Sequence, residues 1–316
     1  MTDRTAYVHA RGHASVRIRE WLLYAGAWTV RRLTRPFGIW SLAAALAPLG
    51  ALVATRVPAF RARVERNLAL VRPDLDAAAR RRLTAEAGRA FLRLAVEYSH
   101  IDRFARQVRI ELSGTHHLRA AREAGPGLVL VTAHYGNWEA IRLAARQEGI
   151  ECGIFYRAFN NRYLDRFTLA QIGCCGEPVL QKGKSGLRAV VRHLEAGGAV
   201  LILVDQRSTG APAIPFLGRP ALTSTAAAHL ALRTGAALIP ALARREPRTR
   251  RFRVSFDPPV PTGDPTAAMA EVNARLGARI AERPEQWFWF HNRWKGVEAP
   301  HRTLPPAPSA PGETIG

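Results

Sequence analysis

LVLVTAHYGNWEA, residues 128–140, changes character half-way along. Its first five residues are aliphatic or β-branched, the composition of a strand buried on both faces. Ala-His-Tyr-Gly follows, with Gly136 supplying a turn, and Asn137 is a good N-cap for a helix that starts near Glu139. A buried strand that runs through a short turn into a helix opens a β–α unit. His134 then stands just past the strand's carboxyl end, where open parallel sheets gather their active sites.

The same rhythm continues on either side. Apolar runs at 152–156 (CGIFY), 199–204 (AVLILV), 236–242 (AALIPAL) and 252–256 (FRVSF) read as strands, and the stretches 137–148, 185–196, 224–234 and 266–283 read as helices. This alternation predicts an α/β fold with a central, mostly parallel sheet flanked by helices. Residues 58–123 read as helices, with Pro73 and Asp74 marking an interruption and restart. The last residues, 297–316, are Pro-rich and read as a disordered tail.

Residues 37–54, FGIWSLAAALAPLGALVA, carry no charge and sit at the lower limit of length for a bilayer span. Pro48 would kink a helix there, and arginines cluster on both sides. That pattern suits a helix or hairpin in one leaflet, its arginines on anionic headgroups. Residues 1–57 are accordingly read as a basic, apolar, membrane-associating segment, and residues 58–296 as the catalytic domain.

Of 316 residues, 47% are hydrophobic and 22% charged, which fits a globular chain. The net charge of +21 calls for an acidic partner: nucleic acid, an anionic membrane or an acidic carrier protein. All but three of the basic residues are arginine, a coding bias that weakens charge as a signal. A nucleic-acid role has no recognisable binding motif behind it. Three cysteines without regular spacing (Cys152, Cys174, Cys175) point to neither a disulfide framework nor a zinc site. QKGKSG (181–186) ends like a P-loop, but the leading glycine position holds Pro178; nor does GKSGL form a nucleophile elbow.

From the residues alone, His134 and Glu139 admit two readings. Glu139, in the first helical turn, could fold back and orient the imidazole for general-base catalysis. Alternatively, it only complements the helix dipole while His134 closes the strand. On one continuous helix the two would point about 140° apart, so only the strand-turn-helix arrangement lets them meet. No HExxH stands nearby, so a metal is not expected.

His134-Tyr-Gly-Asn-Trp-Glu139 has the HX4(D/E) form of the lysophospholipid and glycerolipid acyltransferase superfamily. Further stretches resemble its late lipid A acyltransferase branch in the same order: RVERNLALVRPDL (63–75), YRAFNN (156–161), DQR (205–207), IPFLGRPALTSTAAAHLALRTGAALIP (214–240) and PEQWFWFHNRWK (284–295). The resemblance covers roughly residues 38–296 and implies O-acyl transfer from an acyl thioester. His134 would be the base and Glu139 its orienting partner. Arg157 would meet a substrate phosphate, guanidinium being a bidentate phosphate ligand. Asp205, Gln206 and Arg207 would position the acceptor, with Asn137 as a further substrate contact. DQR departs from the Glu-Gly-Thr-Arg block of other superfamily members while matching this branch. The implied donor is an acyl carrier protein thioester, or acyl-CoA, with no tightly bound cofactor. The implied acceptor is a lipid A precursor, with another glycolipid or a lysophospholipid as the alternative, and anionic lipids as the remaining partner. The implied location is the cytoplasmic face of a bacterial inner membrane. Trp287, Trp289 and Trp294 then read as a packed aromatic segment close to that membrane.

Overall fold

A computed structural model describes residues 14–247 and 250–297; the Pro-rich tail falls outside them from residue 298 onward. Its centre is β2 (Leu128–Thr132), five residues all buried. β2 pairs in parallel with β5 (Ala199–Leu203) on one side and with β8 (Ala237–Arg245) on the other. β3 (Cys152–Tyr156) and β4 (Val179–Gln181) extend the parallel sheet beyond β5. Beyond β8 lies β9 (Arg251–Phe256), antiparallel to it, and then β1 (Arg109–Ser113). The order is β1-β9-β8-β2-β5-β3-β4, mostly parallel as expected.

The helices that cover the sheet include α7 (Glu139–Gln147), α9 (Lys184–Glu195), α10 (Ala226–Thr234) and α11 (Pro265–Glu282), each close to its expected limits. Two apolar clusters result. One contains Leu128, Leu130 and the α7 residues Ile141 and Ala144; the other contains Val129, Val131 and residues of α10 and α11. Neighbouring β2 residues thus supply opposite faces of the sheet, as the two-residue strand period requires.

Residues 58–123 are not helical throughout. They hold α3 (Pro58–Val71), α4 (Ala77–Ser99), α5 (Ile101–Gln107) and α6 (Thr115–Ala124), but also the edge strand β1. RIELS has no buried residue, so it lacks the apolar run that marks the inner strands. The restart expected at Asp74 comes at Asp76, whose carboxylate caps α4 by accepting from the Ala79 N–H at 2.6 Å. Asp74 instead pairs with Arg72 at 2.7 Å.

The uncharged stretch forms α2 (Ile39–Arg56), long and apolar enough to cross a membrane by length and composition. One face is already taken: Ile39, Ala43, Ala47, Gly50, Ala51 and Ala54 are buried, a small-residue stripe at helical spacing. Gly50 lies against Gly88 of α4, and a Cβ added to Gly50 would sit 2.2 Å from the Gly88 carbonyl oxygen. Leu49, Leu52 and Val53 on α2 stay exposed, as do Trp21, Leu22, Leu23, Trp28 and Leu33 on the preceding α1 (Ala14–Thr34). These two helices carry most of the large hydrophobic side chains left uncovered among the described residues.

Gly88→Ala is expected to lower stability by about 1–3 kcal/mol, the usual cost of forcing volume into a closed contact. Gly263→Ala, where nothing lies within 4 Å, should leave the thermal midpoint in detergent unchanged. Equal midpoints for the two variants would show that α2 does not rest on α4.

Candidate active site

The parallel register of β2 and β5 builds the site. Leu128 faces Ala199 and Thr132 faces Leu203, an offset of 71 residues throughout. The Val204 N–H donates to the Thr132 carbonyl at 2.9 Å, so the register persists one step past the strands. Continued to residue 134, the offset arrives at Asp205. There the Asp205 carboxylate holds His134 twice, at the ring Nδ1 (2.6 Å) and at the backbone N–H (2.9 Å). The Trp287 indole N–H donates to the same carboxylate at 2.8 Å.

Asp205 is buried, which alone would raise its pKa. The facing imidazole and the N–H groups of His134 and Trp287 outweigh burial and hold it below the ordinary carboxylate range. An ionised acceptor at Nδ1 fixes the tautomer with Nδ1–H, leaving Nε2 as the acceptor nitrogen. Gln206 lies 3.3 Å from Nε2, its amide N–H able to donate. A carboxylate behind an imidazole with an open second nitrogen is the arrangement of an oriented general base.

Glu139, expected to orient the imidazole, makes a different set of contacts. Its carboxylate is fully buried and accepts from the Tyr98 hydroxyl (2.6 Å) and from Arg142 (2.5 Å). Arg142 is also fully buried, and its other donors reach the carbonyls of Cys152, Ile172 and Gly176. The helix begins at Glu139 itself, so the arginine three residues on shares its face and takes the carboxylate. Glu139 reaches His134 only through others. The Trp138 indole N–H donates to the Tyr98 hydroxyl at 3.0 Å, and the Trp138 ring meets His134 edge-on at 5.1 Å between centroids. Burial, reinforced by the charge of Glu139, pushes the Tyr98 hydroxyl pKa well above its usual value, so it stays a donor.

Asn137 is not positioned to touch a substrate. It is fully buried, donates to Glu97 at 3.1 Å and accepts from the Glu139 N–H at 3.2 Å, closing the turn before α7. Arg157, Gln206 and Arg207 all line a cavity of about 690 Å³ with His134 at its edge. Part of its wall is apolar, from Ile154 and Phe155 of β3, Ile202 of β5, Val204 just past it and Leu230 of α10. Arg157 makes no hydrogen bond or ion pair with any described residue. Arg207 is tied to the closing aromatic segment: its Nε donates to the Lys295 carbonyl at 2.7 Å, and its backbone N–H donates to His291 at 2.9 Å. A second cavity of about 220 Å³, between α4 and the Trp287–Phe288 segment, also has His134 in its lining. Among the described residues no three metal-type side chains converge.

The structure brings His134, Asp205, Gln206 and Arg207 to one site, and the carboxylate in contact with the imidazole is that of Asp205, not Glu139. Tyr98, Trp138, Arg142 and Trp287 were not foreseen as functional. Trp287 lies 82 residues from Asp205, and no local spacing signals such a contact. Arg142 carried one signal, a basic residue three after an acid with only apolar residues between and for three positions beyond.

Comparison with known proteins bears on this geometry. The model of the bacterial lipid A biosynthesis acyltransferases matches residues 11–296. The chain is 29% identical over 296 residues to the lipid A biosynthesis lauroyltransferase of Escherichia coli K12, covering 88% of this chain and 92% of the relative. It is 26% identical over 242 residues to the palmitoleoyltransferase of lipid A biosynthesis from the same strain, covering 73% and 77%. The phosphatidylinositol mannoside acyltransferase of Mycobacterium tuberculosis H37Rv is 27% identical over 197 residues, 61% of this chain and 62% of that protein.

The two acids should separate experimentally. Asp205→Asn keeps the shape but loses the tautomer lock, and is expected to lower kcat about 10²–10⁴-fold with the melting midpoint nearly intact. Glu139→Ala leaves Arg142 buried without its counter-charge and is expected to cost about 3–5 kcal/mol of stability. Thermal melts alongside turnover check both; a stable, inactive Glu139→Ala beside an active Asp205→Asn would reverse the assignment.

Proposed function

Because the chain belongs to the bacterial lipid A biosynthesis acyltransferase family, we propose that it moves a fatty acyl chain from an acyl carrier protein thioester to a hydroxyl of a lipid A precursor, with His134 as base. It is an acyltransferase, and its relatives in the comparison include enzymes named for lipid A and for a phosphatidylinositol mannoside. The observation that carries the finer reading is the buried Asp205 carboxylate behind His134, which leaves Nε2 as the ring's acceptor nitrogen, with only the exposed Gln206 amide at 3.3 Å beside it and two cavities that His134 lines.

Nε2 takes the proton of the acceptor hydroxyl as its oxygen attacks the thioester carbonyl carbon. The tetrahedral intermediate collapses with cleavage of the C–S bond, and the departing thiolate receives the proton from the imidazolium. Asp205 stabilises that imidazolium without itself becoming protonated. The thioester is already activated, so no covalent acyl-enzyme is required. The apolar wall of the larger cavity suits the acyl chain, while Arg157, Lys182 and Arg207 beside it suit an acidic carrier. The exposed apolar side chains of α1 and α2, flanked by arginines, support attachment to the cytoplasmic face of an anionic inner membrane. The likeness to a phosphatidylinositol mannoside acyltransferase favours a different glycolipid as the second reading, with acyl-CoA as an alternative donor.

The test is mass spectrometry of lipid A after expression in a Gram-negative strain lacking its own late acyltransferases. A gain of one acyl group, absent with His134→Ala, is expected. No gain, with the protein folded and in the membrane, would overturn the lipid A reading and direct attention to other glycolipids.

A further inference from the structure

The smaller cavity has an imbalance of charge. Arg93, Arg245 and Arg283 line it together with Glu86 and Glu285. The carboxylates in and behind it each pair with an arginine other than Arg93: Glu86 with Arg89 at 2.6 Å, Glu285 with Arg283 at 2.9 Å, and one oxygen of buried Glu97 with Arg245 at 2.5 Å, its other oxygen making no hydrogen bond among the described residues. Arg93 is the cation left over, with no hydrogen bond or ion pair among the described residues. It is half-buried on α4, and burial, followed by the charge of Arg245, pushes its pKa below the ordinary arginine range. Glu86 and Glu97 offset part of this through space, but neither reaches Arg93 as an ion pair, so a half-buried guanidinium beside the like charges of Arg245 and Arg89 has donors left for an incoming anion.

We propose that this cavity is an anion subsite in which Arg93 receives a phosphate group of the lipid acceptor while His134, at the cavity's inner edge, meets the acceptor's hydroxyl. The inference rests on the acyl-transfer reading above and adds where the acceptor's charge is held. Three features fit a phosphorylated amphiphile rather than a thioester donor. The larger cavity, with Ile154, Phe155, Ile202 and Leu230 in its wall, is a separate space that His134 also lines. The lip of the smaller cavity is Phe91, 43% exposed and packed on Phe288 and Phe290, a surface suited to lipid chains. Arg245 and Arg283, each fixed by its own carboxylate, flank the space without needing to rearrange. Arginine is the residue suited to the task, since its planar fork binds phosphate oxygens in pairs.

Two measurements test this. Binding of dodecyl phosphate, with dodecyl maltoside as the uncharged comparison, is followed by tryptophan fluorescence. Arg93→Gln is expected to raise the Kd for dodecyl phosphate about tenfold and leave that for the maltoside unchanged. Arg93→Lys should recover part of the loss, and Arg109→Gln, which removes an equal charge from the exposed edge strand, should lose nothing. Equal losses for Arg93→Gln and Arg109→Gln, or none for either, would overturn the subsite. In transfer assays, Arg93→Gln should raise KM for a phosphorylated glycolipid about tenfold with kcat within about threefold, and should not alter KM for its dephosphorylated form. A penalty equal for both acceptors would sink the subsite while leaving the acyl-transfer reading intact. Phosphate-selective binding lost in Arg93→Gln, in a protein that transfers to neither glycolipid, would support the subsite and refute the proposed acceptor class.

Discussion

The alignment of two adjacent parallel strands is the constraint from which the rest of the site follows. With β2 and β5 paired at a fixed offset of 71 residues, the first residues past their carboxyl ends meet in matching order, and His134 faces Asp205. A slip of one residue would turn every side chain of β2 to the opposite face of the sheet. It would bury the histidine's neighbours wrongly and break both bonds that Asp205 makes to residue 134. The register is therefore held by the core: Val129 and Val131 fill one apolar cluster while Leu128 and Leu130 fill the other. Alignment of this pair and core packing are one requirement.

Around this pair the protein spends two kinds of support. Trp287 comes from the closing aromatic segment and occupies the carboxylate oxygen that also takes the His134 N–H, so Asp205 is fixed from both sides. The second support is the buried Glu139–Arg142 pair, which joins the start of α7 to Tyr98 on α4 and to the carbonyls of Cys152, Ile172 and Gly176. A buried ion pair of this kind is weak evidence of added stability against an apolar replacement, but losing one member is costly. Its location gives the glutamate five residues after the histidine a structural part although it does not touch the ring. It anchors the turn on which His134 stands, and through Tyr98 it fixes Trp138 against the imidazole.

How much of this was legible in the sequence depended on range. LVLVT, CGIFY and AVLIL announce inner strands because both faces are buried and the runs are continuous, and the following helices carry a clear apolar periodicity. RIELS, an edge strand with nothing buried, gave no such signal and passed for part of a helical region. His134 stood out by its place at a strand end. Its true partner did not, because the pairing of residues 134 and 205 follows from a register that only the folded sheet defines. Glu139 looked the better candidate for being close in the chain, and Asp205 was read as an acceptor contact. Nearness in sequence misled where nearness across the sheet decided. The apolar stretch at 37–54 reads as a helix or a hairpin and folds as a helix, yet the stripe of small residues that lays it on α4 has no partner legible in the sequence, because Gly88 meets Gly50 only in the fold.

The central claim is that Asp205, and not Glu139, holds the His134 imidazole with its proton on Nδ1. The most direct measurement is a long-range ¹H–¹⁵N spectrum of protein labelled at histidine, with His134 assigned by its absence from His134→Ala. The expected result is a single Nδ1–H tautomer at neutral to mildly alkaline pH. It should give way to a mixture in Asp205→Asn and persist in Glu139→Gln. An Nε2–H tautomer in the unmodified protein, or a tautomer lost in Glu139→Gln and kept in Asp205→Asn, would contradict it.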